Sequence, residues 1–121
     1  MAHILLADDN PMVARLVAAK LKVQGHDVYV VTDGTQAMEQ ALKFPPDLCI
    51  LDVMMPGMDG FEVLHALRED PRLKSTPVIL LTSLGEDSHS VRAFREGASD
   101  YVVKPFSPSE LMARVERLLA H

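Results

Sequence analysis

The sequence predicts an α/β fold: a doubly wound parallel sheet of five strands, flanked by five helices in a three-layer sandwich. Three observations predict it. Short apolar runs alternate with amphipathic segments five times along the 121 residues, which is typical of parallel strands joined by helical crossovers. The runs 48–51 and 78–81 are apolar throughout, as in strands that are buried on both faces. All eight prolines fall at the predicted element boundaries or helix starts.

The first strand and helix are predicted from an apolar run and its capping residues. Residues 4–7 form the apolar run. Asn10 suits the N-cap of a helix and Pro11 its first position, and Gly25 suits its end. Apolar residues recur between them at helical spacing, so we expect them to face inward. They are Val13, Leu16, Val17 and Leu21.

The second and third strands are predicted at residues 28–31 and 48–51, with a helix between them. That helix begins at Gly34 and ends before the prolines at 45–46. Its expected inner face comprises Ala37, Met38, Ala41 and Leu42. A turn over residues 57–60 follows the third strand, and Asp59 is expected to cap the next helix. The apolar residues of that third helix are Phe61, Leu64 and Leu67.

The last third of the chain contains the weakest helix pattern. Residues 87–96 are poorly amphipathic, with Val91 and Phe94 as the main apolar anchors, so we expect this fourth helix to be the least firmly packed element. The fifth strand is predicted at residues 101–103. The last helix begins near Pro108 and is expected to bury Leu111, Met112, Val115, Leu118 and Leu119.

Composition narrows the function classes. The net charge of −5 argues mildly against direct nucleic-acid binding. The single cysteine, Cys49, lies in a predicted central strand and is expected to be a buried structural thiol. No apolar run approaches the roughly 18 residues of a membrane span, and the N-terminus lacks a signal-peptide pattern. We therefore expect a cytoplasmic protein without membrane contact.

Polar side chains follow four of the predicted strands. Asp8 and Asp9 follow the first strand, Asp52 the third, Thr82 the fourth and Lys104 the fifth. Because the carboxyl ends of parallel strands meet at one edge of the sheet, where ligands bind, we expect these side chains to converge.

Three converging carboxylates require neutralisation. Two unit charges about 4 Å apart repel by about 4 kcal/mol at an effective dielectric near 20. Oxygen ligands without His or Cys favour Mg²⁺ over Zn²⁺. A hydroxyl and an ammonium beside them suit phosphoryl oxygens, and a carboxylate can itself be the nucleophile that forms an aspartyl phosphate.

With these motifs the chain resembles the receiver domain of two-component response regulators. The resemblance rests on Asp8-Asp9, on Asp52 within LDVMMPGMDG, on Thr82-Ser83 and on residues 101–106, YVVKPF. It covers residues 3–120, so we expect residues 1–121 to form a single receiver domain. It implies a flavodoxin-like fold with strand order 2-1-3-4-5.

The resemblance also implies roles for the site residues. Asp52 accepts a phosphoryl group from a sensor histidine kinase or a phosphotransfer protein. Asp9 and Asp52 ligate Mg²⁺ directly, Asp8 acts through water, and the backbone carbonyl of Met54 is a further ligand. The implied protein is a signalling switch with at most slow self-dephosphorylation, not an enzyme that turns over a substrate.

Further implied residues transmit the signal. Thr82 and Lys104 bind the phosphoryl oxygens, Tyr101 is the aromatic switch that turns inward as Thr82 moves, and the Lys104–Pro105 peptide is cis. The fourth helix, fifth strand and fifth helix are implied to contact an output protein or effector domain. A phosphorylation-dependent homodimer would pair Arg92 with Glu110 and Asp100 with Arg114 across its interface, and the alternative is that these four are solvated surface charges.

Plainer readings accompany several of these residues. Asp8 and Asp9 are also suited to capping the first helix, and Tyr101 to ordinary packing.

Met54 and Leu84 are apolar where relatives that position an attacking water have polar side chains, which predicts slow self-dephosphorylation. A Mg²⁺-dependent phosphohydrolase is the rival function, but Met54 stands where such an enzyme carries its acid/base carboxylate.

The histidines are expected to be surface or packing residues: His3, His26, His65, His89 and His121.

Overall fold

A computed structural model describes residues 2–83 and 87–120, and for residues 87–90 it describes the backbone alone. Leu84, His121 and the side chain of His89 therefore lie outside the described residues. The elements alternate as predicted: β1 (His3–Ala7), α1 (Pro11–Val23), β2 (Asp27–Val31), α2 (Gly34–Lys43), β3 (Leu48–Asp52), α3 (Gly60–Glu69), β4 (Val78–Thr82), α4 (Asp87–Arg95), β5 (Asp100–Val103) and α5 (Pro108–Leu119).

The strands form one parallel sheet in the order β2-β1-β3-β4-β5. This confirms the predicted fold class and the strand order that the resemblance implied. The register places Ala7 beside Leu51, Asp52 beside Leu81 and Thr82 beside Val103. The carboxyl ends of these strands therefore lie side by side at one edge of the sheet.

The core lies on both faces of the sheet. Every residue of β3 and β4 is buried, as the uninterrupted apolar runs predicted. One face packs against α2 and α3 and against Ala93 of α4, and the other packs against α1 and α5. Cys49 lies within the first of these layers and is fully buried. The helices thus pack against both faces of the two central strands, β3 and β4, and hold the carboxyl ends of these strands in place.

The predicted helix starts are confirmed by their capping contacts. The Asn10 side chain accepts hydrogen bonds from the N–H groups of Met12 and Val13, and Pro11 is the first residue of α1. Asp59 and Glu62 form a reciprocal capping box at the start of α3. The reading of Asp59 as a helix cap is therefore correct.

The structure corrects the predicted inner faces of two helices. Val91 and Phe94 are not the anchors of α4, because they are 52% and 55% exposed. Among the α4 side chains that are described, residues 91–95, only Ala93 is buried. Leu16 of α1 is also exposed, because the buried stripe of that helix comprises Ala14, Val17, Ala18 and Leu21. Among residues 91–95 the buried anchor is one small side chain, which agrees with the expectation that α4 is weakly packed.

Element boundaries differ from the predictions by one residue in six places. β1 begins at His3, β2 at Asp27 and β5 at Asp100, whereas β3 ends at Asp52, β4 at Thr82 and α4 at Arg95. Leu42, expected on the inner face of α2, is partly exposed. Within the described residues, no helix combines the length and apolar character needed to cross a membrane.

Candidate phosphorylation and metal site

The predicted strand-end side chains come together at the carboxyl edge of the sheet. Asp8 and Asp9 follow the last residue of β1, and Asp52 and Thr82 are the last residues of β3 and β4. Lys104 follows β5, and its backbone N–H donates a 2.6 Å hydrogen bond to the Thr82 carbonyl. The adjacency of the central strands therefore brings residues from distant parts of the chain into one site.

Three carboxylates form the centre of the site. Oxygens of Asp8, Asp9 and Asp52 all lie within 4.8 Å of one another. Asp8 and Asp52 are 0% and 4% exposed, and Asp9 is exposed. In the part of the chain that the structure describes, this is the one group of three or more Asp, Glu, His or Cys side chains close enough to share a metal ion.

Lys104 bridges two of these carboxylates. Its Nζ donates hydrogen bonds of 3.0 Å to Asp8 Oδ2 and to Asp52 Oδ2. Burial of the ammonium opposes its charge, but the hydrogen bonds and charges of the two carboxylates outweigh burial and raise the pKa of Lys104. The ammonium therefore stays charged and holds the two carboxylates in fixed positions.

Asp52 is the carboxylate whose ionisation the site disfavours most clearly. Burial, reinforced by the charge of Asp8, raises the pKa of Asp52 to about 6, although the hydrogen bond from Lys104 opposes this shift. Near pH 7 the three carboxylates and one ammonium leave an excess of negative charge. Such a cluster favours the binding of a cation.

The donor set fits Mg²⁺. It consists of carboxylate oxygens, and Mg²⁺ is held in proteins by one or two carboxylates together with waters and substrate phosphates. The exposure of Asp9 leaves one side of the cluster open to solvent. Met54 lies in the loop after Asp52, and its N–H donates a 3.3 Å hydrogen bond to Asp52 Oδ1. The role of its carbonyl as a ligand stays a prediction.

The implied switch residues, Thr82 and Tyr101, lie on β4 and β5. Thr82 is buried at the end of β4. The partly buried Tyr101 contacts Phe94 of α4 edge-on, with ring centroids 5.5 Å apart. The Lys104–Pro105 peptide is cis, as the resemblance implied.

The four expected interface residues form contacts within this chain. Arg114 Nη1 donates to both oxygens of Asp100 at 2.8 Å, and Arg114 Nη2 lies 3.3 Å from Glu110 Oε1. Arg92 pairs with Glu96 and lies 4.0 Å from the centre of the Phe61 ring. Pairing across a dimer stays a prediction.

Sequence reasoning missed two arginines. Arg117 Nη2 donates to Asp100 Oδ2 at 2.8 Å, and its position three residues after Arg114 on α5 is the signal that predicts a shared helix face. Arg68 of α3 donates to the carbonyl oxygens of Thr76 and Gly97. No local pattern reveals this contact, because its acceptors are backbone groups of distant loops.

His3, His26, His65 and a cavity at the amino ends of β1 and β2 lie away from the cluster. His26 is a packing residue that accepts from the Ala2 N–H and contacts Glu116 at 2.9 Å, while His3 and His65 are surface residues. A cavity of about 640 Å³ adjoins the amino ends of β1 and β2 and is lined in part by Tyr29 and Phe44. It contains none of the strand-end side chains.

Comparisons with known proteins identify a family whose model matches most of the chain. The family model "Response regulator receiver domain" matches residues 4–116. The chain is 42% identical over 119 residues to the DNA-binding dual master transcriptional regulator RpaA of Synechocystis sp., covering 98% of this chain and 49% of RpaA. The chain thus spans about half the length of this relative.

Solved structures show the same fold. A putative response regulator from Chloroflexus aurantiacus superposes with a TM-score of 0.94 at 37% identity, covering 99% of this chain and 98% of that one. The chemotaxis response regulator CheY4 of Vibrio cholerae superposes with a TM-score of 0.92 at 34% identity, covering 98% of each chain. Because RpaA is named as DNA-binding, the expectation of no direct nucleic-acid contact has no support from these relatives.

Proposed function

Because the chain belongs to the response regulator receiver family, we propose that Asp52 is its phosphoryl acceptor and that phosphorylation switches its conformation. The observation that carries this proposal is the position of Asp52, which is buried at the end of β3 in contact with Lys104 and close to Asp8 and Asp9. The donor is a phosphohistidine of a sensor histidine kinase or of a phosphotransfer protein. The other ring nitrogen of the phosphohistidine carries a proton. The bond between phosphorus and the imidazole nitrogen breaks, a bond from phosphorus to an oxygen of the ionised Asp52 forms, and the imidazole therefore leaves as the neutral ring.

The proposal assigns Mg²⁺ to the carboxylate cluster. Asp9 and Asp52 bind the ion directly, Asp8 binds it through water, and the Met54 backbone carbonyl is a further ligand. The ion supplies positive charge that stabilises the transferring phosphoryl group. The oxygen-only cluster within 4.8 Å supports this assignment.

Lys104 and Thr82 bind the phosphoryl oxygens in this proposal. Lys104 has three donors and already contacts Asp52, so rotation of its ammonium brings a donor to the new phosphoryl group. Thr82 donates its hydroxyl from the neighbouring strand end. A charge-assisted hydrogen bond contributes roughly 1.5–3 kcal/mol, and a shift from 1:99 to 99:1 requires about 5.5 kcal/mol of differential binding. A few such bonds are therefore sufficient to drive a switch.

The moving element is α4 with Tyr101. Its weak packing, with Ala93 as the buried anchor among residues 91–95, supports this assignment. Tyr101 turns inward when Thr82 approaches the phosphoryl group, and its edge-on contact with Phe94 passes the change to α4. The face formed by α4, β5 and α5 then binds an output protein or effector domain.

A phosphorylation-dependent homodimer is part of the same proposal. Arg92 would pair with Glu110 of a second copy, and Asp100 with its Arg114. Within one chain Arg114 already binds Asp100 and Glu110, so dimerisation exchanges internal pairs for external ones. Sedimentation of phosphorylated protein tests this: Glu110→Lys is expected to abolish the dimer, and an unaffected dimer would contradict the pairing.

The proposal includes slow self-dephosphorylation in a cytoplasmic protein. The Met54 side chain is apolar and exposed beside Asp52, and it has no group that orients an attacking water. Leu84 is the second apolar residue in this argument and lies outside the described residues. Met54→Asn together with Leu84→Asn is expected to shorten the phosphoryl lifetime, and an unchanged lifetime would contradict the explanation.

Intact mass spectrometry tests the acceptor. The protein is incubated with a small phosphodonor in the presence and absence of Mg²⁺, beside Asp52→Asn. We expect a gain of one phosphoryl group that requires both Asp52 and Mg²⁺. An equal gain in Asp52→Asn would contradict the proposal.

A further inference from the structure

The loop between β3 and α3 lies unusually close to the first residue of α2. We call residues 53–59 the acceptor loop. A Cβ added to Gly34 would lie 1.7 Å from the carbonyl oxygen of Met58 and 2.8 Å from its Cβ. The Gly34 N–H also donates a hydrogen bond of 3.3 Å to the carbonyl oxygen of Pro56. The acceptor loop therefore occupies the space that any side chain at position 34 would need.

A second contact lies one residue further along α2. Gly57 has φ +76°, and a Cβ there would lie 2.7 Å from Thr35 Oγ1. Position 57 thus requires glycine both for its left-handed backbone and for its neighbour. The loop and the first turn of α2 are in direct contact at Gly34 and at Thr35.

The same loop is attached at its beginning and end to the acceptor site. The Met54 N–H donates to Asp52 Oδ1, and the Val53 N–H donates to the Leu81 carbonyl at 2.8 Å. At the far end, the Gly60 N–H donates to the Val53 carbonyl at 3.0 Å. Pro56 accepts the hydrogen bond from Gly34 and lies two residues after Met54. A shift of the loop backbone at Pro56 is therefore expected to move Met54 as well, because the segment between them is short and is attached at both ends.

We propose that Gly34 is a positioning residue for the metal site, because its lack of a side chain lets the acceptor loop hold the Met54 carbonyl at the ion. The inference rests on the proposed function, which assigns that carbonyl as a ligand. A Cβ at position 34 would force the Met58 carbonyl to move by more than 1 Å to reach even a 3.0 Å contact. Changes in the residues that orient metal ligands typically weaken metal binding 10- to 100-fold.

Helix propensity does not account for a glycine at this position. Alanine is the better helix former, so Gly34→Ala would favour α2 if the loop were absent. Any loss of stability or of metal affinity in Gly34→Ala is therefore expected to come from the contact with the acceptor loop. Metal binding and loop mobility are the properties that this contact controls.

The test compares Gly34→Ala with Gly25→Ala. Gly25 follows the C-cap of α1 and has φ +92°, and a Cβ built on it meets no atom within 4 Å. Its substitution therefore introduces backbone strain away from the acceptor loop. Titration calorimetry measures Mg²⁺ affinity, and amide hydrogen exchange of residues 54–59 is measured in metal-free protein. We expect Gly34→Ala to bind Mg²⁺ at least 10-fold more weakly and to exchange faster across the loop, with Gly25→Ala unchanged in both.

The outcomes separate the inference from the proposed function. If the unsubstituted protein does not bind Mg²⁺, the proposed metal site is wrong and the positioning role with it. If it binds Mg²⁺ and Gly34→Ala binds equally well with unchanged exchange, the positioning role alone is overturned.

A second pair of variants applies if Gly34→Ala does not fold. In Gly57→Ala the new Cβ belongs to the acceptor loop and clashes with Thr35 Oγ1 of α2. Thr35→Ala removes that oxygen. We expect Gly57→Ala to weaken Mg²⁺ binding and the double variant to recover part of the affinity. No recovery in the double variant would overturn the inference.

Discussion

Replacing Asp52 by Asn is expected to stabilise the metal-free protein near pH 7. At an effective dielectric near 20, two charges 4.8 Å apart repel by about 3.5 kcal/mol. Asp52 has two such neighbours, Asp8 and Asp9. Its attraction to Lys104 at 3.0 Å is about 5.5 kcal/mol on the same scale. The two repulsions exceed the attraction by about 1–2 kcal/mol, and this is the stabilisation that we expect from the neutral side chain.

The pH dependence of this effect has a definite sign. Because burial raises the pKa of Asp52 to about 6, the folded protein binds this proton more tightly than the unfolded chain does. The contribution of Asp52 to stability is therefore greatest below about pH 4 and falls as the pH rises through 6. An Asn side chain does not ionise, so it loses no stability as the pH rises. The Asp52→Asn variant should therefore have a higher free energy of unfolding than the unsubstituted protein at pH 7 and no such difference near pH 4.

Urea unfolding in chelator-containing buffer at pH 7 and pH 4 measures both effects. Asp70→Asn is the matched control, since Asp70 is a carboxylate whose pKa is lowered, chiefly by its hydrogen bond from the Arg72 N–H. The control should show the opposite sign, with a small loss of stability at pH 7. A metal-free Asp52→Asn variant that is less stable than the unsubstituted protein at pH 7 would refute the electrostatic reasoning.

Three further predictions concern the metal, the thiol and a helix cap. Mg²⁺ at ten times its Kd should raise the free energy of unfolding by about 1.4 kcal/mol, and thermal unfolding should show most of this gain lost in Asp9→Asn. Burial raises the pKa of Cys49 to about 12, so the thiol should not react with a colorimetric disulfide reagent at pH 8 until denaturant is added; rapid reaction of the folded protein would show that the core is open. Asp59→Ala should cost about 1 kcal/mol in urea unfolding and Asp59→Asn, which keeps an acceptor, clearly less; equal losses would contradict the capping role.

The parts of the fold that could be predicted are those with local causes. β3 and β4 are apolar up to their last residues, Asp52 and Thr82, and this pattern indicates strands that are buried on both faces. Asn10 and Asp59 mark helix starts because their side chains bond the first N–H groups. The convergence of the strand-end residues followed from parallel pairing alone. Strand order and the cis peptide, in contrast, were expected through family resemblance.

The predictions that were wrong or missing concern places where tertiary contacts override the local sequence pattern. In α4 the larger residues Val91 and Phe94 suggested an inner face, but the small Ala93 is the residue that packs against the sheet. The contact between Gly34 and Met58 joins the first residue of α2 to the acceptor loop, and these two segments are adjacent because β2 and β3 flank β1. Neither composition nor periodicity contains that information.

The most direct test of the central claim is to locate the phosphoryl group in the chain. Borohydride reduces an aspartyl phosphate to homoserine, which peptide mass spectrometry assigns to a position. After incubation with a small phosphodonor and Mg²⁺, we expect homoserine at position 52 and unmodified Asp8, Asp9 and Asp59. Homoserine at one of those three positions, with Asp52 unmodified, would contradict the account.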